Sequence, residues 1–133
     1  METISPPKFL LLSVAIAALL VYLPYMVTAY GRFQVGYDPS APRSQFDKLP
    51  DYAKRATWAH QNSWEVFILY VAAVMMLCVS GRSSETTDLT AVVFLVSRFL
   101  FSIFYILDLP YLRSPAWLVS IICTAVLMST SLR

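Results

Sequence analysis

The sequence predicts an all-α integral membrane protein built as one four-helix bundle with up-down topology. Hydrophobic residues make up 58% of its 133 residues and charged residues only 14%, whereas roughly a quarter of the residues in a soluble domain are charged. Four long apolar stretches lie at about 9–30, 57–79, 89–107 and 115–132. Each approaches or exceeds the ~18 to 20 residues that a helix needs to cross ~30 Å of hydrocarbon. Lipid cannot satisfy free backbone groups, so each stretch should be helical.

The connections between these stretches predict how the helices pack. The segments 80–88 and 108–114 are short, so successive helices should pack antiparallel within one domain that covers 1–133. The segment 31–56 is much longer and contains three prolines and half of the charged residues outside the spans. A loop of this length is usually functional or disordered.

The distribution of lysine and arginine predicts the orientation in the membrane. Cytoplasmic loops carry an excess of these residues. The first and third connections carry six of them, and the opposite side carries three. We therefore expect the loop 31–56 in the cytoplasm and both termini on the non-cytoplasmic side. The six are Arg32, Arg43, Lys48, Lys54, Arg55 and Arg113, and the three are Lys8, Arg82 and Arg133.

Several classes of function have no support in the sequence. The net charge is only +2 and the basic residues are dispersed, so a nucleic acid is not an expected partner. A single histidine, His60, and two separated cysteines, Cys78 and Cys123, predict neither a metal site nor a disulfide framework. The nucleotide-binding, hydrolase and zinc-protease motifs are also absent from the sequence.

Polar residues within the spans mark the candidate site. Asn62 and Glu65 share a helical face on the second span, and Arg98 and Tyr105 share one on the third. Glu65 lies roughly 12 Å from the start of its stretch and Arg98 roughly 15 Å from the matching end, at 1.5 Å per residue. The two charges should therefore meet.

Two interpretations of this cluster remain open. In one, Glu65 and Arg98 form a buried ion pair that fixes helix register, while Asn62 and Tyr105 complete the hydrogen bonds. In the other, the cluster lines a polar pocket open to the cytoplasm that binds a charged small molecule. Intramembrane ionisable residues favour the pocket. His60 lies near the membrane boundary, where a neutral interfacial histidine is more typical than a catalytic acid or base.

The motifs in their order resemble one family. Pro42-Arg43 in the long loop is followed by RATWAHQNSWE at 55–65, then by Arg98 with Tyr105, and then by PYLRS at 110–114. This arrangement over four spans resembles the membrane-associated proteins in eicosanoid and glutathione metabolism (MAPEG), and most of all their bacterial branch. The resemblance implies a homotrimer that binds glutathione between neighbouring subunits on the cytoplasmic side, with no metal.

The resemblance also implies roles for individual residues. Asn62 and Glu65 would hold polar and amino groups of glutathione, and Arg113 with Ser114 would lie near its sulfur as catalytic residues. A cation or hydroxyl donor there lowers the pKa of a thiol, and the thiolate is the nucleophile. The further candidates for binding glutathione are Arg98, Tyr105, His60 and Arg55.

Two functional hypotheses follow from the resemblance. In the first, the protein is a membrane-bound glutathione transferase or peroxidase that acts on a lipophilic electrophile arriving from the bilayer. In the second, it is a non-catalytic member that binds membrane lipid or stabilises a larger membrane assembly. Trp58 stands where active eukaryotic members carry an arginine, and Trp117 stands at the position of a pocket tyrosine, which favours the second hypothesis.

Overall fold

A computed structural model describes residues 7–133, and these residues form four long α-helices and one 3₁₀-helix. All four α-helices are long and apolar enough to cross a membrane, so the chain is a multi-pass integral membrane protein. The helices are α1 (Lys8–Gln34), α2 (Asp51–Ser80), α3 (Glu85–Ile106) and α4 (Pro110–Leu132), and the 3₁₀-helix is Pro42–Lys48.

The four α-helices pack as the predicted all-α bundle. α1 packs mainly against α2, α3 packs mainly against α4, and contacts of α2 with α4 and of α1 with α3 close the ring. Leu10 near the start of α1 and Leu77 near the end of α2 belong to one buried cluster. Ala91 near the start of α3 and Leu127 near the end of α4 belong to it as well. Successive helices therefore run in opposite directions.

The centre of this buried cluster, which we call the apolar core, is an aromatic pair. The rings of Tyr70 on α2 and Phe94 on α3 stack with centroids 3.8 Å apart and planes 4° from parallel. The Tyr70 hydroxyl lies 2.6 Å from the Ser13 hydroxyl on α1, and Ser13 also donates to the Leu10 carbonyl at 2.6 Å. Close packing and one hydroxyl pair thus join three helices. Packing and hydrogen bonds of this kind stabilise the association of helices in lipid, where there is no hydrophobic effect between them.

The helices begin earlier than the apolar stretches predicted. α2 starts at Asp51 rather than near 57, so the connection between α1 and α2 is 35–50 rather than 31–56. Pro50 precedes the helix and Asp51 occupies its first turn, where a negative charge complements the helix dipole. Hydropathy identifies only the part of a helix that lies in lipid, so it missed these polar first turns.

α3 and α4 also begin before the expected residues. A capping box between Ser84 and Thr87 starts α3 at Glu85, four residues before the apolar stretch. α4 starts with Pro110 as its first residue, a position that suits proline because no amide donor is needed there. The sequence had suggested that Arg113 and Ser114 lie in a loop, but they lie in the first turns of a helix.

The connection 35–50, which we call the connector, is ordered by side chains. Gln45 is buried; its amide donates to the Gly36 carbonyl, and its oxygen accepts from the Asp38 amide at 3.0 Å. Where the connector returns to the bundle, α1 and α2 approach so closely that a Cβ at Gly31 would lie 2.4 Å from the Cβ of Ala53. Glycine is required at this crossing because no side chain fits.

Candidate functional site

A groove opens at the end of the bundle where α2 begins and α3 passes into α4, which we call the polar end. Its volume is about 290 Å³, near the lower limit for small-molecule sites. Two indoles, Trp58 and Trp117, are partly exposed along it, so we call it the indole groove. Its other lining residues are Asn62, Phe101, Tyr105, Arg113 and Ser114.

Positive charge is concentrated at one wall of the indole groove. The guanidinium carbon of Arg113 lies 4.3 Å from the centre of the Tyr105 ring, within the range of a cation–π contact. Arg113 and Ser114 belong to the first turns of α4, where the helix dipole adds partial positive charge. This wall would stabilise an anion, such as a thiolate, next to Arg113 and Ser114.

The predicted ion pair between Glu65 and Arg98 is wrong. Arg98 is only 5% exposed. It donates to Asn62 Oδ1 at 2.9 Å, to Ser63 Oγ at 3.3 Å and to Ser120 Oγ at 3.4 Å. The guanidinium carbon also lies 4.2 Å from the centre of the Phe101 ring. Arg98 is thus satisfied by neutral oxygens and one aromatic face.

Glu65 points away from this cluster. Three residues advance a helix by about 300°, so Glu65 lies about 60° around α2 from Asn62, and its side chain is exposed on the outer surface of the bundle. Gln61, one turn before it, is exposed too. We call this strip of α2 the acidic ridge. It separates the indole groove from a second groove on the other side of α2.

This second groove has a volume of about 660 Å³ and lies between α1, the connector and α2, so we call it the connector groove. Two arginines, Arg32 and Arg43, line it, together with His60 and Gln61. The Nε atom of Arg32 is buried and has no hydrogen-bond partner among residues 7–133. The connector groove therefore has positive charge from two arginines at the same end of the bundle, and one buried donor of Arg32 is unsatisfied.

His60 is held in the connector groove by a bond to α1. Its Nδ1 lies 2.7 Å from the Val21 carbonyl. A carbonyl only accepts, so in the neutral ring Nδ1 carries the hydrogen and Nε2 has the free lone pair. The rings of Tyr22 and Tyr25 lie 5.5 and 5.2 Å from the imidazole. The imidazole is therefore fixed in place, and it lines the connector groove rather than the indole groove.

Arg55 was expected to bind glutathione, but in the structure it binds the end of α3 instead. Its Nε donates to the Ile106 carbonyl at 3.1 Å, at the last residue of α3. A cation bound to the final carbonyls of a helix complements the dipole. Arg55 lines neither groove.

The structure brings together half of the site residues named from the sequence. Asn62, Tyr105, Arg113 and Ser114 share the indole groove, and Arg98 lies behind Asn62. His60 lies in the connector groove, Glu65 on the acidic ridge and Arg55 at the end of α3.

Two of the three hydrogen-bond partners of Arg98 were missed from the sequence. Ser63 and Ser120 are small hydroxyl residues inside apolar spans, and this is the signal by which they could have been found. Helical spacing alone could not pair them with Arg98, since they lie on two other helices. Over residues 7–133, no group of three or more histidine, cysteine, aspartate or glutamate side chains is arranged to hold a metal ion.

Comparison with known proteins agrees with this architecture. The model of the MAPEG family matches residues 9–133, which is almost the whole chain. No match is found among curated proteins or among solved structures.

Proposed function

Because the chain belongs to the MAPEG family, we propose that it is a membrane-bound glutathione transferase or peroxidase that acts on a lipophilic electrophile. The family includes enzymes of both kinds. The indole groove is the observation that carries the proposal. It combines Asn62, Tyr105, Arg113 and Ser114 around a volume suited to a small molecule. Its apolar walls, from Phe101 and the two indoles, suit a substrate that arrives from the bilayer.

Arg113 and Ser114 are the proposed catalytic residues. The guanidinium and the N-terminus of α4 favour the anionic form of a thiol, so glutathione beside them loses its proton to water. In the transferase reaction, the thiolate attacks the electrophilic carbon; a C–S bond forms while the bond from that carbon to its leaving group breaks, and the leaving group departs with the electron pair. In the peroxidase reaction, the thiolate attacks the terminal oxygen of a hydroperoxide. The O–O bond breaks, glutathione becomes a sulfenic acid, and the alkoxide that leaves takes up a proton to give an alcohol. A second thiol then displaces water from the sulfenic acid, giving the disulfide.

The proposed homotrimer is what the family resemblance implies, and the acidic ridge supports a contact between subunits. An ionised carboxylate facing lipid costs at least about 3 kcal/mol, so exposed Glu65 calls for a cover that contains a cation or an ammonium group. A neighbouring subunit offers Arg32 and Arg43 in its connector groove. Glutathione then lies between subunits, with Glu65 holding its amino group and His60 of the connector groove adding a contact from the other side.

The polar end faces the cytoplasm in this proposal. Arg32, Arg43 and Arg113 all lie at that end of the bundle, in agreement with the positive-inside rule. Both termini then lie on the non-cytoplasmic side. Glutathione enters from the cytoplasm, and the electrophile enters from the lipid.

A second candidate is a non-catalytic member that binds membrane lipid or stabilises a larger assembly. Trp58 and Trp117 favour it, because an indole donates one hydrogen bond but supplies neither a charge nor a hydroxyl. Both indoles line the groove in which glutathione would lie. This candidate keeps the scaffold and omits the thiol chemistry.

Calorimetry with reduced glutathione tests the enzyme against this alternative. We expect the purified protein, in lipid nanodiscs, to bind glutathione with an affinity of roughly micromolar to millimolar. Ultraviolet absorbance should show the thiolate, and S-methylglutathione should bind without that absorbance. No heat and no thermal shift with millimolar glutathione would overturn the proposal.

Glu65→Gln gives the matched variant for this experiment. We expect it to weaken glutathione binding about tenfold, which corresponds to 1.4 kcal/mol, because the amino group loses its carboxylate. The control is Glu85→Gln, which changes an exposed acid in the first turn of α3, far from both grooves. Equal affinity in the two variants would remove Glu65 from the binding site.

A further inference from the structure

We propose that Arg98 is a positioning residue: it fixes the amide of Asn62 so that the N–H groups face the indole groove and receive a carboxylate of the ligand. This inference rests on the proposed function, because it concerns the same groove and takes glutathione as the ligand. It differs from the role that the family resemblance implies, in which Arg98 itself contacts glutathione.

The first step is the orientation of the Asn62 side chain. Oxygen and nitrogen of an asparagine amide look alike, and their assignment comes from the bonding partners. Arginine has only donors, so the Asn62 atom 2.9 Å from Arg98 is necessarily the oxygen. Nδ2 lies on the opposite branch of the amide. Since Asn62 lines the indole groove, its two N–H donors are the part left for a ligand.

The second step is that the other contacts of Arg98 hold it in place and do not reach the groove. Ser63 and Ser120 give their own hydroxyl hydrogens to the carbonyls of Ala59 and Trp117. Each serine oxygen therefore accepts from Arg98 and holds it from the side of α2 or α4. The guanidinium is held between two helices, the residue as a whole is 5% exposed, and Arg98 is not among the residues that line the indole groove. Its contact with that groove therefore runs through Asn62.

The third step is the character of the whole groove wall. Arg113 and the indoles of Trp58 and Trp117 can only donate hydrogen bonds, while the hydroxyls of Tyr105 and Ser114 can do both. The lining includes no carboxylate. The positive charge of Arg98 also polarises the Asn62 amide and strengthens its N–H donors. Such a wall binds an acceptor, and the strongest acceptor that glutathione carries is a carboxylate.

Asn62→Asp tests the orientation with almost no change in shape. One aspartate oxygen keeps the bond to Arg98, and the new charge pairs with the guanidinium, so the protein should remain folded and at least as thermally stable. The other oxygen replaces the N–H group that faces the ligand. We expect glutathione affinity to fall about 100-fold, since two carboxylates then repel at close range. Calorimetry in nanodiscs measures it.

Glutathione diethyl ester, which has no free carboxylate, is the matched ligand. Its affinity should change less than about threefold between the wild type and Asn62→Asp, because an ester adds no charge repulsion. Asn62→Ala should lose only about tenfold for glutathione, as expected for a lost contact without repulsion. Equal glutathione affinity in Asn62→Asp and the wild type would overturn the inference while leaving the proposed function intact.

Arg98 itself is tested by a conservative and a non-conservative change. Arg98→Lys keeps one donor for Asn62 and should retain most of the preference for glutathione over its diethyl ester. Arg98→Met frees the amide to rotate, so the preference should fall about tenfold. A preference unchanged in a folded Arg98→Met variant would contradict the positioning role. If the wild type binds neither ligand, the proposed function fails, and the carboxylate assignment fails with it.

Discussion

The apolar core and the polar end of this bundle satisfy their side chains in different ways. Around Tyr70 and Phe94 the buried side chains of the apolar core pack on one another, and the Tyr70 hydroxyl is paired with that of Ser13. At the polar end Arg98 donates to three oxygens within the chain, whereas Arg113, Asn62 and the two indoles, all of which carry donors, line a groove. One membrane bundle thus combines a core whose polar groups are paired internally with an end that keeps hydrogen-bonding capacity for a ligand.

Phe94→Ala should have the largest effect on stability. The ring is 1% exposed and stacks on Tyr70, so its removal leaves a cavity. We expect a loss of about 3 kcal/mol, near the low end for such changes because lipid also solvates the unfolded side chain. Unfolding in mixed micelles measures it. Glutathione affinity should remain within about twofold of wild type, since the change lies outside the groove.

Phe99→Ala is the control for this prediction. Phe99 lies on the same helix, but its side chain is 45% exposed on the outer surface. We expect a change within about 0.5 kcal/mol. A similar loss in both variants would show that the stacked pair contributes nothing special and that the apolar core is not where stability is concentrated.

Arg113→Ala should show the opposite pattern at the polar end. Removing the cation next to the reacting sulfur should lower kcat/KM for conjugation about 30-fold, or about 2 kcal/mol. The stacking on Tyr105 is partly exposed, so stability should fall by no more than about 1 kcal/mol. Arg82→Ala, which removes an exposed arginine between α2 and α3, should leave both quantities unchanged. An active Arg113→Ala enzyme would remove Arg113 from catalysis.

Gly31→Ala should show that close packing of α1 and α2 contributes to stability at the polar end as well. The added Cβ would meet the Cβ of Ala53 at 2.4 Å, so α1 and α2 must separate. We expect a loss of about 2 kcal/mol from overpacking, measured by thermal unfolding. Adding Ala53→Gly removes the opposing atom and should recover more than half of the loss. Additive effects in the double variant would contradict a direct clash.

Most of the fold could be predicted from the sequence, because crossing lipid imposes a length and a composition that 18 or so residues must share. The helix starts could not. Asp51 and Glu85 lie in polar first turns, where capping determines the boundary rather than hydropathy. The early start of α4 at Pro110 matters for the site, because it places Arg113 beside the indole groove on a helix rather than in a loop.

The candidate site was predicted only in part. Periodicity selected Asn62 and Tyr105, and the family resemblance supplied Arg113; all three line the indole groove. Periodicity could not distinguish Asn62 from Glu65 as the partner of Arg98. A rotation of about 60° on one helix separates a buried bond from an exposed carboxylate. The connector groove was not predicted at all, because it depends on the path of residues 35–50, which Gln45 and Gly31 determine by local contacts.

Tyr70→Phe should give the smallest effect and the most direct measure of bonding inside the apolar core. It removes one hydroxyl and leaves the stack on Phe94 intact. Ser13 keeps its bond to the Leu10 carbonyl, so no donor is stranded, and we expect a loss of only about 0.6 kcal/mol, as is typical of hydrogen bonds between membrane helices. A double-mutant cycle with Ser13→Ala isolates the pair, and Tyr111→Phe, with a 93% exposed ring, is the control. A coupling above about 2 kcal/mol would mean that a polar contact, rather than packing, holds the apolar core together.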